Sequence, residues 1–477
     1  MLGLFGTLNL GARSLQTQQM GVEVAGHNLA NVNNPNYSRQ RVQIESSLAI
    51  PVSPIGVQGT GADVVAIRQI RDQILDDQIT SEVSLSGSLA SAQKALQYAQ
   101  ANLGQRIDRH SAGANAAASA TSLSGEFGVA EGINALFNSF QSIAVSPRDT
   151  TERTVLLENA KALSAKFQQT DARLGRLRTT LDDSLRADVS EANLLLTDIA
   201  LLNNEIANAE IRNGGAANDL RDKRQTKLEE LAKLANVTVT RDSDGVLSVA
   251  VGTTTMVSGK NVLETFQAYD AGGGQILVRG ATSGSPLSLT SGSMHGTIST
   301  RDGSIATLRS DLNALAALVI SEVNAVHSTG FSLTGATGAN FFTGTDASNM
   351  GVNTALTTNP QLVQASGVAA NAGDNQVALQ MAQLADKRHA GLADQTFSQY
   401  FNRVVSNLGQ SLANTNGQAE TQQVVEDMLL RQRDSLMGVS IDEEMSDLIR
   451  FQKAYQASAR IITTVDEMLE TVLTLKR

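Results

Sequence analysis

Cysteine and tryptophan are both absent from the 477 residues, and aromatic residues make up only 4%. The first absence excludes disulfides and thiolate metal sites while leaving the redox compartment open. No stretch reaches the roughly 18 apolar residues that a membrane-spanning helix requires. The nearest, "LNALAALVI", is far shorter, so membrane insertion is not expected. The opening "MLGLFGTLNLGARSLQ" lacks a basic leading segment, an unbroken apolar core and a small-residue cleavage site, and a cleaved secretory signal is not expected either. Positive charge is in deficit. With 37 Lys and Arg against 47 Asp and Glu the net charge is −10, which argues against a phosphate-neutralising surface and so against nucleic acid as a partner.

Patterns that carry chemistry are missing as well. The five histidines, His27, His110, His295, His327 and His389, include no pair at the spacing of a metal-binding helix turn. There is no G-x-S-x-G elbow, no phosphate loop and no G-x-G-x-x-G. "DSDG" at 242–245 begins like a calcium loop, but its glycine comes too early and Val246 stands at a ligand position, so it reads as a turn. His27 has no local nucleophile and reads as structural or simply exposed. No catalytic, cofactor or metal residues are assigned, and the sequence is not expected to be an enzyme.

What is present is helical periodicity. At 41% hydrophobic and 18% charged, the chain is foldable and long enough for about three domains. Leu8, Leu15, Val22 and Leu29 fall seven residues apart, and only Arg13 and Glu23 carry formal charge before Ser38. Ile441, Leu448, Tyr455, Ile462 and Leu469 repeat the device at the other end. A seven-residue apolar repeat suits helix pairing, and so charge-poor a helix expects protein on several sides, so these nine residues form the expected assembly interface. Seams this narrow stabilise isolated helices only marginally, so the two ends are expected to gain order when neighbouring copies cover them. "SIDEE" at 440–444 marks the start of the last helix: Ser440 caps, Glu443 is its capping-box partner, and Asp442 and Glu444 complement the dipole.

Between the ends, a long stripe from Leu174 through Ile206 predicts a mostly helical block over about 147–234, interrupted at "RNGGAAND". Within it, "RDKRQTK" (221–227) reads as a solvated helix face, and Glu229 with Lys233 as a surface pair at four residues' spacing. "VTVTRDSDGVLSVAV" then alternates around Asp244-Gly245 and predicts a hairpin, with further strands at "VLETFQAY" and "ILVRG". Helical spacing resumes at Ile305, Leu308, Leu312, Leu315 and Val319. The expected fold is therefore mainly α with an inserted β-rich module: terminal heptad helices forming a coiled-coil core, a long helical-bundle middle and a small outer β domain. The expected segments are 1–38 (first axial helix and Asn-rich turn), 39–90 (extended arm and helix), 91–235 (long helical domain) and 236–300 (β module). They continue with 301–330 (returning helix), 331–395 (irregular or mixed outer segment), 396–439 (returning helix) and 440–477 (last axial helix). "SAGANAAASATSLSG" (111–125) reads as a low-complexity loop.

"HNLANVNNPNY" (27–37) places five asparagines where the first helix must stop. Asn28, Asn31 and Asn33 can satisfy groups freed at the helix end. Pro35 disfavours helix at Asn34, and Asn36 tolerates the left-handed conformation that redirects a chain. With Tyr37 these residues make a helix-stop turn, and the alternation in "YSRQRVQIES" predicts a strand after it.

The stretch "NLANVNNPNYSRQRV" resembles the signature of the flagellar rod, hook and hook-associated axial proteins, with a Tyr-Ser-Arg continuation typical of the hook-associated branch. "GVSIDEEMSDLIRFQKAYQASARIITTVDEMLETVL", "NDLRDKRQTKLEELAKLANVTV", "GTISTRDGSIATLRSDLNALA" and "EVNAVHSTGF" are similar to the same family, so the resemblance spans most of the chain. Family members more often carry Thr and Gly where Asn34 and Asn36 stand. The resemblance implies a structural adaptor at the hook–filament junction, exported through the flagellar type III apparatus with a cytoplasmic chaperone engaging the C-terminal helix. It implies as partners copies of itself in a ring or tube, the hook protein on one side and a second junction protein on the other, and no cofactor. The rival readings are another axial component (hook, rod or second junction protein) and a secreted adhesin or effector using the β module.

Overall fold

A computed structural model describes residues 3–52, 56–103, 128–241 and 247–474. The predicted loop 111–125, His110, the turn at Asp244-Gly245 and the last three residues lie outside these. In chain order the elements are α1 (Leu4–Ala30), β1 (Gln40–Ser46), β2 (Ile50–Val52), β3 (Gly56–Gln58), β4 (Ala62–Gln69), α2 (Gln73–Asn102), α3 (Val129–Val145), α4 (Thr150–Asn213) and α5 (Asn218–Leu234). The β-rich stretch follows: β5 (Val237–Arg241), β6 (Leu247–Val251), β7 (Thr254–Ser258), β8 (Asn261–Val262), β9 (Phe266–Asp270) and β10 (Ile276–Gly280). Then come α6 (Gly292–Thr300), a π-helical turn (Arg301–Ile305), α7 (Ala306–His327), β11 (Phe342–Thr343), β12 (Gly351–Val352), α8 (Thr354–Thr358), α9 (Gln376–Gln383), α10 (Phe397–Met437) and α11 (Ile441–Thr474). The fold is mainly helical with small antiparallel sheets.

The chain divides into two compact units, one of residues 1–87, 189–292 and 421–477, the other of 88–188 and 293–420. Contiguous segments of sequence are therefore not the units of packing: α2, α4 and α10 each contribute one part to either unit.

In the first unit, α1 is stopped where the sequence predicts, because the Asn31 side chain donates back to the His27 carbonyl (2.9 Å). β1 and β4 then pair antiparallel from Gln40↔Gln69 to Ser46↔Ala62, with an irregularity between Gln43 and Ile44. Asp72 opens α2 by accepting from the amides of Ile74 (2.9 Å) and Leu75 (3.4 Å). On α2, Leu75, Ile79 and Val83 repeat every four residues and bury against Ala232, Leu429 and Met437. The predicted break in the helical block falls at Gly214, whose φ of +66° favours glycine. β5 and β6 form the predicted hairpin, Val237↔Val251 to Arg241↔Leu247, and extend to a four-stranded sheet β5-β6-β7-β8. Leu247, Val249 and Val251 are its buried face. Asn193 and Asn203 of α4 fasten this module by donating to the carbonyls of Phe266 (2.8 Å), Leu247 (3.1 Å) and Gly259 (2.7 Å).

Two surface readings fail here. Residues 221–227 are not a solvated face, because Asp222, Arg224 and Gln225 are buried. Arg224 is tolerated inside because it donates to Asn203 Oδ1 (2.8 Å), and burial lowers its pKa to about 10. Glu229 does not form a surface pair with Lys233 but accepts from Arg433 of α10 (2.9 Å), both side chains being mostly covered.

The core of the second unit is built on Phe140, Phe167, Phe341, Phe342 and Phe397 with the predicted stripe Leu308, Leu312, Leu315 and Val319 of α7. The π-helical turn carries Arg301 into this unit, where it is fully buried and paired with Asp182 (2.5 Å) and Asp302 (2.7 Å). The irregular stretch after α7 is pinned by His327, which lies between the Ala339 carbonyl (2.7 Å from Nδ1) and the Gln364 amide (3.0 Å from Nε2).

Candidate functional site

α1 and α11 run antiparallel and meet through small residues, not through the heptad leucines alone. A side chain added at Gly11 would lie 2.8 Å from Ile462 Cγ1, and one at Gly21 would lie 2.6 Å from the Phe451 ring. Each glycine is thus a notch that admits a large residue of α11. Between them, Ser14 and Ser458 hydroxyls meet at 2.7 Å. The seam residues Leu8, Leu15, Val22, Leu29, Leu448, Ile462 and Leu469 are only half-buried by this pairing, and Ile441 and Tyr455 remain 52% and 40% exposed. The expectation that the ends wait for neighbouring copies is corrected in part. The two helices find each other within one chain, and what is left uncovered is the outer part of the seam, with Met445, Ile449, Ile461 and Met468 beside it.

One end of the pair closes on the asparagine turn. Tyr37, Ser38, Arg39 and Gln40 are four consecutive buried residues, three of them polar, and together they are held by α1, α5, α10 and α11. Ser38 binds Asp222 of α5 through both its amide (3.0 Å) and its hydroxyl (2.9 Å), and Arg71 binds the same carboxylate (2.9 Å). Gln40 reaches Asp219 (2.8 Å). The Arg39 amide donates to the Met437 carbonyl at the end of α10 (2.9 Å). The Arg39 guanidinium pairs with Glu443, with Glu444 (2.6 Å) and, more loosely, with Asp447 (4.0 Å) of α11.

Asn28 is the centre of this arrangement. Only 1% exposed, it donates to the Gln40 carbonyl (2.8 Å) and to Glu444 Oε2 (3.0 Å) and accepts from the Tyr37 hydroxyl (2.7 Å) and the Gln40 amide (3.0 Å). These four bonds saturate an amide side chain. His27 has the structural role expected of it, its Nδ1 at 2.9 Å from the Tyr37 hydroxyl and its ring edge-on to Tyr37.

Electrostatics follow from burial. Burial, then the nearby carboxylates Asp219, Asp222 and Glu444, push the Tyr37 phenol up, so it stays protonated and is not activated. Burial also raises Asp222, against the pull of its Ser38 bonds and Arg71. Burial alone would lower Arg39, but its bonds to Glu443 and Glu444 outweigh that and hold it above its ordinary value. The arrangement fastens chain segments; it presents no poised nucleophile or base.

The predicted turn residues part company. Asn28 does not satisfy the helix end but bridges three segments, and Asn31 alone returns to the helix. Asn33 is exposed. Asn36 does not take the left-handed conformation expected of it. Pro35 occupies the second position of a turn closed by the Tyr37 amide on the Asn34 carbonyl (3.1 Å), and Asn34 Oδ1 accepts from the Asn36 amide (3.2 Å), a geometry that ordinary φ values serve.

At α11 the Ser440 carbonyl accepts from the Glu444 amide (3.0 Å), but Glu443 turns to Arg39 instead of acting as a capping-box partner. Glu444 is no exposed dipole group; it is 2% exposed and ion-paired. Sequence reading missed Arg39, Glu444 and Asp222, though a charged residue inside each family-like motif was the available signal. A cleft of about 510 Å³ runs beside the turn, lined by Asn31 to Tyr37, Asp222 and Arg433 to Ser440. Among the described residues no His, Cys, Asp and Glu cluster has the arrangement of a metal site, and no helix is long and apolar enough to cross a membrane.

Residues 120–342 match the family model "Flagellar hook-associated protein FlgK helical domain", and residues 434–475 match "Flagellar basal body rod FlgEFG protein C-terminal". Flagellar hook-associated protein 1 of Bacillus subtilis (strain 168) is 26% identical over 518 residues, 99% of this chain and 98% of the relative. Its counterpart in Escherichia coli (strain K12) is 21% identical over 98% of this chain and 99% of the relative. The structure of the flagellar hook junction protein FlgK from Burkholderia pseudomallei shares the fold, with a TM-score of 0.63 at 15% identity, over 76% of this chain and 100% of that chain.

Proposed function

We propose that the chain is a member of the flagellar hook-associated protein 1 family and the adaptor that assembles on the hook tip at the hook–filament junction and lets the filament attach. It is a structural component of the flagellum. The observation that carries this reading is the likeness along essentially the whole chain, ends included, to relatives of that name. It acts by packing and carries out no reaction; the buried Asn28 side chain, with all four of its donor and acceptor positions bonded within the chain, supports that.

In this reading Leu8, Leu15, Val22, Leu29, Ile441, Leu448, Tyr455, Ile462 and Leu469 are the assembly interface with copies in a ring or tube. Supporting it is the half-covered state of these apolar side chains within one chain, since removing such area from water is worth about 25 cal/mol per Å². The hook protein lies on one side of the ring and the second junction protein on the other. Before assembly the C-terminal helix engages an export chaperone, and the chain leaves the cell through the flagellar type III apparatus. The C-terminal match to rod proteins keeps a second reading, another axial component, as the one to test against.

A null mutant examined by electron microscopy decides between them. Hooks without filaments, with flagellin released to the medium, are expected. Anchored filaments in the mutant would refute the junction role, and a loss of hooks themselves would assign the chain to the rod or hook.

A further inference from the structure

We propose that Asn28, Arg39 and Glu444 form a register lock, which selects one of several antiparallel alignments open to the terminal helices. The apolar residues cannot make that choice. On both helices they recur every seven residues, so a slide by seven sets one seam against the other again. Shape restricts the slide but does not forbid it. In the observed alignment Gly21 admits Phe451 and Ser14 faces Ser458; in one slipped alignment Ser14 comes opposite Phe451, where its Cβ would push the ring aside, a crowding that disfavours this slide without blocking it.

The polar groups are not periodic. Glu444 is buried and its carboxylate is held by Arg39 on one oxygen and by Asn28 on the other. Asn28 is buried with each of its donors and acceptors already bonded, and the bond to Glu444 is the only one of the four that leads to α11. Arg39 follows α1 in the chain and is fixed through its amide to Met437 and its carbonyl to the Ile70 amide, so it cannot follow a sliding α11. A slide by seven in either direction therefore carries Glu444 away from both partners. It leaves a charge, an amide or both without partners, whereas apolar contacts re-form at every repeat. A buried polar group that fits in one alignment only is the best-attested use of such groups in helix pairing. The lock itself stands on the geometry of one chain. Its consequence, that every copy presents the same uncovered seam to its neighbours, rests on the assembly reading above.

The absence of cysteine makes the test clean. Disulfide formation is measured on purified full-length protein carrying Ser14→Cys with Ser458→Cys (observed alignment), with Val465→Cys or with Phe451→Cys (slides by seven). With the lock intact only the first pair is expected to close. In the background Asn28→Leu, Arg39→Met, Glu444→Leu, one or both slipped pairs are expected to rise at least tenfold while helix content by circular dichroism is kept. The control Glu443→Gln, which removes the charge of an exposed partner of Arg39, leaves the first pair dominant. The proposal is overturned if the lock-free chain still closes the first pair alone. It is also overturned if that chain closes no pair, which would make the cluster a source of stability only, or if Glu443→Gln shifts the register. These outcomes do not depend on motility, so the lock can fail while the junction role stands.

Discussion

Acidification should loosen the second unit through a single buried imidazole. His327 is fully covered, with Nδ1 at the Ala339 carbonyl and Nε2 at the Gln364 amide, so the bonded form is the neutral one carrying its proton on Nδ1. A second proton on Nε2 would face the Gln364 N–H. Burial first, and then the Arg153 charge, lower the His327 pKa from 6.5 to about 4, against the helping bond to Ala339. At about 1.4 kcal/mol for each pH unit of separation between folded and unfolded values, the linkage amounts to about 3 kcal/mol. The sign is set by the depressed folded value: the unfolded chain takes up the proton first as pH falls. The contribution is thus fully present above about pH 6.5, shrinks on the way down and is gone below about pH 4. That is a large part of a domain's usual 5–15 kcal/mol.

The assay is urea unfolding by far-UV circular dichroism at several pH values, with hydrogen exchange in α7 marking the second unit's transition. It compares the wild type with His327→Gln, whose amide can both donate and accept but does not titrate. Burial also lowers His295, so both proteins keep it. Wild type should lose about 3 kcal/mol more than the variant between pH 7 and pH 4. Equal losses in the two proteins would refute the reasoning.

The helix pair makes two further predictions. Gly21→Val places atoms within 2.6 Å of the Phe451 ring and should cost about 1–3 kcal/mol, read as faster proteolysis within 441–474. Gly26→Ala on the same helix, where nothing lies within 4 Å, should be neutral or stabilising by up to about 1 kcal/mol; an equal cost at both sites would contradict the notch. Glu444→Ala, at a side chain 3% exposed, should destabilise the first unit by about 3–5 kcal/mol in thermal or urea melts. Glu443→Ala, 63% exposed, should cost less than about 1 kcal/mol, and parity between the two would show that the ion pair matters less than its burial implies.

Much of the fold was legible because it is local. The stripe of α7, the break at Gly214, the hairpin of β5 and β6 and the end of α1 each depend on residues a few positions apart, and period, turn chemistry and helix stops act at that range. The family resemblance was legible for a related reason, since its motifs are short and contiguous. The site was legible only in outline. Asn28 was singled out as a helix-end residue, but its partner Glu444 is 416 positions away, and a carboxylate next to a helix start has a sufficient local explanation that hid the distant one. Arg224, Asp222 and Glu229 were misread for the same reason: a charge run looks solvated until another element covers it.

The sequence by itself determined where the long helices and the β5–β6 hairpin lie, that both ends carry a seven-residue apolar repeat, and that no catalytic or metal motif is present, while the short elements of 331–395 read as irregular. The tertiary structure decided what a repeating pattern leaves open: that α1 and α11 pair within one chain, in one alignment, around Gly11, Gly21 and the Asn28, Arg39 and Glu444 cluster. The physical reason is that apolar attraction scales with area and is nearly indifferent to register, whereas a buried charge or amide is stable only where its particular partners converge. That convergence is a property of three dimensions, not of any window of sequence.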